Sequence, residues 1–134
     1  MDKCVLIRSG AGETGTTGVT YASGVSAASA GARGLCLELA SLPPGAFAKA
    51  HVHTGHESAA YVLSGELTLF FGERLEERIV ARAGDFLYIP SGVPHLPANE
   101  GTEPAVAVLA RTDPHEQEST VALPELDALV EVTR

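Results

Sequence analysis

Short apolar segments alternate with turn-forming residues along most of this chain, and this pattern limits the folds that the chain can adopt. Seven segments of three to five residues are apolar or alternate apolar with polar residues, and Gly, Pro and Ser lie between them. They are found at 5–7, 35–39, 61–63, 67–71, 78–80, 86–89 and 106–109. Short strands at this spacing are typical of a sandwich or a barrel, so we predict an all-β fold.

The C-terminal region is the one place where apolar residues have helical spacing. Pro124 suits the first position of a helix, because proline lacks the N–H that this position does not need. Leu126, Leu129 and Val130 follow at intervals of three and four residues. We therefore expect one or two helical turns that cover one end of the sheet.

The size and composition of the chain indicate one domain over residues 1–134. Its 134 residues, 45% of them apolar and 19% charged, are enough to bury a sizeable core. Residues 9–34 are rich in Gly, Ala, Ser and Thr, which predicts either a flexible lead or a weak pair of strands around residues 19–21. Cys4 and Cys36 form no CxxC motif and do not imply a disulfide framework.

The distribution of charge and hydropathy argues against several classes of partner. The formal net charge is -8, and the 9 basic residues are scattered rather than clustered, which disfavours nucleic acid as a partner. No apolar run is long enough to span a bilayer, and residues 1–8 lack the pattern of a signal peptide. We expect a cytoplasmic protein that acts on a small molecule and binds neither nucleic acid nor membranes.

Four histidines and one glutamate lie in two segments that together predict a metal site. His51 and His53 are two residues apart, and in an extended strand this spacing places both imidazoles on the same face. Imidazole nitrogens are common ligands of transition metals. His56 and Glu57 follow closely, and His95 lies in a second segment further along the chain. These residues supply the third and fourth donors that such a site needs.

Two other patterns in the sequence are incomplete. Residues 10–15 match the GxGxxG motif of dinucleotide-binding proteins, but a stretch with poor helix propensity follows and no βαβ unit surrounds the motif. Residues 56–60 begin like the HExxH motif of zinc proteases, but position 60 is Ala. We interpret the first pattern as a Gly-rich loop and assign no protease chemistry to the second.

The two histidine-bearing segments resemble the two sequence motifs of the cupin family. The second motif, G-x5-P-x-G-x2-H-x3-N, is matched at every fixed position by Gly84, Pro90, Gly92, His95 and Asn99. The first motif, G-x5-H-x-H-x3,4-E-x6-G, is matched by Gly45, His51, His53 and Glu57, with Gly65 one residue late. The resemblance covers about residues 35–111 and implies a double-stranded β-helix, a jelly roll whose mouth holds one divalent metal.

The spacing before Gly65 leaves the fourth metal ligand open. Cupins have six residues between the carboxylate ligand and the closing Gly, whereas seven separate Glu57 from Gly65, so Ser58 occupies the usual Glu position. If the strand is regular, Glu57 points away and His56 becomes the fourth ligand. A β-bulge would instead restore Glu57. The predicted ligands are His51, His53, His56 and His95, with Glu57 in place of His56 if the strand is bulged.

The resemblance also implies the class of chemistry. A centre of four histidines is similar to that of the zinc-dependent cupin cyclases, which favours zinc-assisted cyclisation or isomerisation of a polyketide-like, enolisable substrate. His56 or Glu57 would move protons in such a reaction. Iron, nickel, manganese or copper would instead indicate a dioxygenase of the quercetinase type. A third alternative is a non-catalytic cupin that binds a small ligand. Because small cupins usually pair, we also expect a homodimer.

Overall fold

Eleven strands and two helices form the part of the chain that a computed structural model describes, namely residues 3–10, 12–14, 18–115 and 119–131. The strands are β1 (Glu13–Thr14), β2 (Thr20–Val25), β3 (Cys36–Leu42), β4 (His51–His53), β5 (Ser58–Ser64), β6 (Glu66–Phe71), β7 (Glu77–Arg82), β8 (Phe86–Ile89), β9 (His95–Ala98), β10 (Ala105–Arg111) and β11 (Thr120–Ala122). The helices are α1 (Ala27–Ala30) and α2 (Pro124–Glu131). The predicted all-β class with a short C-terminal helix is confirmed.

The strands form two antiparallel sheets, and strands that are distant in sequence lie next to each other in both. One sheet has the order β1-β2-β3-β10-β5-β8, and the other has the order β11-β4-β9-β6-β7. β10 pairs with both β3 and β5, while β9 pairs with both β4 and β6. This arrangement is the predicted jelly roll, and it places β4 beside β9.

Side chains along β5 alternate between the interior and the surface. Ser58, Ala60 and Val62 are buried, whereas Ala59 and Tyr61 are exposed. This period of two follows from the pleat of a β-strand. The inner face of β5 therefore delivers small and apolar side chains to the interior.

The C-terminal helix stabilises the start of β4, the strand that carries His51 and His53. Val130 of α2 is buried in a cluster that includes Phe70 of β6 and Leu96 of β9. Asp127 Oδ1 accepts a hydrogen bond of 2.7 Å from Ala50 N. Because Ala50 directly precedes β4, α2 fixes the start of this strand. Neither of the two described helices combines the length and the hydropathy needed to cross a membrane.

Residues 9–34 contain more regular structure than the sequence indicates. β1 pairs with β2 and β2 pairs with β3, in agreement with the alternative of a weak strand pair. The sequence did not predict α1. This helix is a single turn, and Ser26 and Ser29 stabilise it with reciprocal hydrogen bonds from backbone to side chain. Residues 5–7 were predicted to form a strand, and this prediction is wrong: they have no strand conformation, and no described strand pairs with them. Part of the Gly-rich segment at 10–15 lies outside the described residues.

Candidate metal centre

β4 and β9 bring three histidines together in the interior. His51 and His53 both point inward from β4 and are buried, as the alternation of a strand requires. His95, the first residue of β9, pairs directly with His51. One ring nitrogen from each of the three lies within 4.8 Å of the others. The structure therefore assembles three of the predicted ligands from two neighbouring strands.

Hydrogen bonds to the backbone fix the tautomers of two of these imidazoles. His51 Nδ1 donates to the carbonyl of Lys49 at 2.8 Å, and His95 Nδ1 donates to the carbonyl of Val93 at 2.9 Å. A carbonyl can only accept, so Nδ1 carries the proton and Nε2 keeps a lone pair. His53 Nδ1 lies 3.1 Å from Thr120 Oγ1. Imidazoles held in this way through Nδ1 fit a divalent transition metal at Nε2.

Burial keeps the three imidazoles uncharged. It is the main cause that lowers the pKa of His53 to about 2 and the pKa of His95 to about 3, and the nearby His51 lowers both further. Burial also lowers the pKa of His51, although the hydrogen bond to the Lys49 carbonyl opposes this shift. Metal ligation requires the neutral form of histidine, so these side chains are already in the correct state at neutral pH.

His56 lies beside the three-histidine group but outside it. It follows β4 in a loop, is buried, and its ring centroid lies 5.0 Å from that of His53. Its Nδ1 lies 2.9 Å from Ser119 Oγ, and its Nε2 is buried without a hydrogen-bond partner among the described residues. Its pKa is lowered by burial, while the carboxylate of Asp113 acts in the opposite direction. The role of His56 as a metal ligand stays a prediction.

The structure places Glu57 on the outer surface and Ser58 inside. Glu57 N donates to Thr112 Oγ1 at 3.1 Å, and its side chain is exposed. Ser58 is buried and lines the interior cavity. The pairing of β5 with β10 does contain a register shift. It lies at the end of β5 that is far from Glu57, where Val106 of β10 pairs with Ser64 and Ala107 pairs with Val62. It leaves Glu57 outside, so the bulge that would turn this carboxylate inward is not found at that position.

The three histidines and Ser58 line a cavity whose other walls are mostly apolar. The cavity has a volume of about 70 Å³. Its walls come from both sheets and include Ala60, Leu67, Leu69, Leu87, Ile89, Ala107 and Leu109. Because one water molecule needs roughly 10–15 Å³, this space holds several waters or the reacting end of a small organic molecule.

A buried ion pair lies in the same interior. Arg111 and Glu38 are 2% and 4% exposed, and Arg111 Nη2 donates to Glu38 Oε1. The positive charge of Arg111 adds to the effect of burial in lowering the pKa of His51, His53 and His56. The interior thus combines neutral imidazoles with a guanidinium whose charge a carboxylate balances.

Two residues that contact the rings of His53 and His56 carry no signal in the sequence. Thr120 and Ser119 lie 67 and 63 residues from the histidines that they contact. No local spacing signals such contacts, since they arise only when β11 pairs with β4. The available signals for the ion pair were Arg111, a charged residue at the end of an apolar strand, and Glu38, a charged residue within another.

Comparison with known proteins agrees with this architecture. The sequence family described as a cupin domain matches residues 38–111. A Klebsiella pneumoniae protein with a double-stranded β-helix domain has a TM-score of 0.65 at 19% identity, over 78% of this chain and 83% of its own. A putative sugar phosphate isomerase from Acidithiobacillus ferrooxidans has a TM-score of 0.57 at 24% identity, over 80% and 72%. These two likenesses show the fold alone.

A third similar structure is that of an oxidase. Oxalate oxidase in complex with the substrate analogue glycolate has a TM-score of 0.69 at 25% identity. The match covers 86% of this chain but only 60% of the oxalate oxidase chain. Among proteins with curated descriptions, none matches this chain. The similar structures therefore differ in their described activities while sharing one fold.

Proposed function

This chain belongs to the cupin family, and on that premise we propose that it is a metal-dependent enzyme that acts on an organic small molecule. The proposed reaction is zinc-assisted cyclisation or isomerisation of an enolisable, polyketide-like substrate. One observation supports it most directly: among the described residues, the donors grouped at the apolar cavity are all neutral imidazoles, and no carboxylate belongs to the group.

We assign the metal to His51, His53 and His95, with His56 as the fourth ligand. The first three support this assignment by their proximity, and His51 and His95 also by their Nε2 lone pairs. His56 supports it by its position next to His53 and by its buried Nε2. The other role considered for His56, a base that holds a proton, differs in its effect on metal content, which a substitution can measure.

The properties of these side chains determine the chemistry that the site favours. When bound, a divalent zinc ion supplies Lewis acidity toward a carbonyl or phenolate oxygen, because uncharged ligands leave its full charge in place. The apolar walls limit the access of water to a bound substrate. Ser58 presents a hydroxyl inside the cavity and can hydrogen-bond a substrate oxygen.

An oxygen-dependent enzyme of the dioxygenase type is the second candidate. The specific support for it is the likeness to oxalate oxidase, at 25% identity over 86% of this chain. In this reading the metal is iron, nickel, manganese or copper, which undergo or support redox chemistry that zinc does not.

Metal analysis and oxygen dependence test the two candidates against each other. We expect protein purified without added metal to contain about one zinc per chain, and we expect turnover of enolisable aromatic precursors to continue without oxygen and after cobalt replaces zinc. Iron or copper in the protein, with oxygen atoms incorporated into the product, would establish the dioxygenase. Tight binding of such compounds without turnover under either condition would identify a non-catalytic binding protein.

We also propose a homodimer that forms through the outer face of the first sheet. Phe86 and Tyr88 on the edge strand β8 are 80% and 61% exposed, and Tyr61 and Leu63 on β5 are 37% and 48% exposed. A contiguous apolar patch of this kind is typical of an interaction surface.

One domain over residues 1–134 and a cytoplasmic location stay predictions.

A further inference from the structure

The hydrogen bonds around Ser119 determine which ring nitrogen of His56 carries the proton. Ser119 Oγ lies 2.5 Å from Asp113 Oδ2 and 2.9 Å from His56 Nδ1. A serine hydroxyl has a single hydrogen, and a carboxylate oxygen can only accept. Ser119 therefore donates to Asp113 and accepts from His56. In the neutral imidazole, the proton must lie on Nδ1.

The Nε2 atom of His56 consequently has a lone pair and no proton. This atom is buried and has no hydrogen-bond partner among the described residues. Buried polar atoms without partners are uncommon, and each one indicates a role or a ligand. The ring lies against His53, at the edge of the three-histidine group. His51 and His95 have the same tautomer, which backbone carbonyls fix. In His56 the Thr54 backbone also contributes a hydrogen bond, and the Ser119–Asp113 pair adds to it.

We propose that Asp113 and Ser119 form a relay that fixes His56 as the Nδ1–H tautomer and keeps its Nε2 lone pair available to the three-histidine centre. Both are positioning residues, since neither belongs to the three-histidine group. Only the identity of the ligand that His56 Nε2 binds rests on the proposed function. The tautomer itself is a property of the metal-free protein and can be measured there.

The two carboxylate oxygens of Asp113 have different partners, and this asymmetry makes the relay testable. Asp113 Oδ1 accepts from His115 N at 2.9 Å, while Oδ2 accepts from Ser119. In Asp113→Asn, the amide oxygen retains the bond from His115 N, so the NH₂ group faces Ser119 and donates to its Oγ. The Ser119 hydrogen must then point to His56 Nδ1. This nearly isosteric change therefore shifts His56 toward the Nε2–H tautomer, although the Thr54 backbone hydrogen bond stays in place.

Nitrogen-15 NMR of histidine-labelled, metal-free protein at about pH 8, where neutral imidazoles dominate, measures this directly. We expect a protonated Nδ1 for His56 in the wild type, a protonated Nε2 in Asp113→Asn, and both forms in Ser119→Ala. Thr120→Val is the matched control, because it removes the neighbouring hydroxyl from His53 and should leave His56 unchanged. Unshifted signals of His51 and His95 show that a variant is folded. Mixed tautomers in the wild type, or an unchanged tautomer in Asp113→Asn, would overturn the relay.

Zinc affinity, measured by competition with a chelator, then tests the link to the centre. We expect Asp113→Asn to lower the affinity by a factor on the order of 10 to 100, the usual effect of changing a contact that orients a ligand. An inverted tautomer with wild-type affinity would overturn the claim that the relay serves the centre. If wild-type protein binds no metal while the tautomers follow the expected pattern, the proposed function fails and the tautomer assignment stands.

Discussion

His51 of β4 lies directly opposite His95 of β9, and their ring centroids are 4.2 Å apart. Each ring bonds to the carbonyl two residues earlier in its own segment, so each orientation is set locally. The distance between the two rings, in contrast, is set by the register of the two strands. A shift of one residue would turn one imidazole out of the interior. The centre therefore depends on strand pairing as much as on its ligands.

Replacement of His51 and His53 together by Ala should empty the metal site without unfolding the chain. The jelly-roll core carries the stability of a domain of this size, so the fold should persist without metal. Elemental analysis and circular dichroism measure the two effects. His115→Ala is the control, because His115 is exposed and lies away from the three-histidine group. Full metal content in the double variant would refute the assignment of these ligands.

Single substitutions of His56 and Glu57 should have opposite outcomes. His56→Ala should lower metal affinity by a factor on the order of 10 to 1,000, since an imidazole ligand is lost and only water can replace it. Glu57→Gln should leave metal content nearly unchanged, because the Glu57 side chain is exposed on the outer surface. Chelator competition measures both. If Glu57→Gln loses the metal and His56→Ala keeps it, the site is the three-histidine, one-glutamate centre instead.

The metal-free protein should become less stable as the pH falls below about 6.5, the ordinary pKa of histidine. Burial lowers the pKa of His53 to about 2 and that of His95 to about 3 in the folded state. Between these values and 6.5, the unfolded chain binds protons that the folded chain does not, so the free energy of unfolding decreases as the pH falls. Each histidine contributes at most about 1.4 kcal/mol per pH unit.

Urea unfolding between about pH 7.5 and pH 5 measures this slope while most carboxyl groups stay ionised. His95→Gln should have a shallower slope than the wild type, because it removes one of the groups that titrate only when the chain unfolds. Equal slopes in the two proteins would contradict the prediction.

Removing one member of the buried ion pair should lower the free energy of unfolding more than removing both. Arg111→Met leaves the Glu38 carboxylate buried without this cation and should reduce the free energy of unfolding by about 3–5 kcal/mol. Combining it with Glu38→Leu should recover most of that loss, because paired burial of charge often gains little over apolar packing. Denaturant unfolding of the four proteins of the double-mutant cycle provides the comparison. A double variant as unstable as Arg111→Met would refute this account.

Phe86→Lys should convert the proposed homodimer to a monomer. The side chain is 80% exposed on the edge strand β8. A lysine buried there would remove apolar contact from the interface and add the desolvation penalty of a charge. Sedimentation velocity reports the oligomeric state. Ile79→Lys is the matched control, because Ile79 is 42% exposed but lies on β7 of the other sheet. A monomeric wild type would refute the dimer, and dissociation by Ile79→Lys alone would place the interface on the other sheet.

The strand pattern and the two motifs were sufficient to predict the jelly roll and the cluster of His51, His53 and His95. Alternation along a strand predicts that His51 and His53 share a face, whereas the jelly roll and the addition of His95 come from the resemblance to the cupin motifs. Strand parity counted back from Gly65 placed Ser58 inside and Glu57 outside, and both positions agree with the structure, although the regular strand that this count assumed contains a register shift. The extra residue before Gly65 indicated that a bulge was possible, but its position depends on how β10 pairs with β5.

The remaining features depend on contacts between distant parts of the chain. Ser119 reaches His56 only because β11 pairs with β4, and neither segment carries a local sign of the other. α1 has only four residues, too few for a periodic pattern, and its serines gave no distinct signal within a Ser- and Ala-rich segment. Residues 5–7 have the apolar character of a strand, but such a segment needs a partner to form one.

In the proposed four-histidine site, the hydrogen bonds of the rings differ between two pairs. His51 and His95 bond to carbonyls beside their own strands, whereas His53 and His56 each contact a side chain at or just before the start of β11. β11 is a strand of three residues at the edge of its sheet, and short edge strands open at a lower free-energy cost than central ones. Opening of β11 would remove these side-chain contacts from His53 and His56 while His51 and His95 kept theirs. If the site holds a metal, the proposed ligands would then loosen in pairs, through the fraying of one short strand and without unfolding of the barrel.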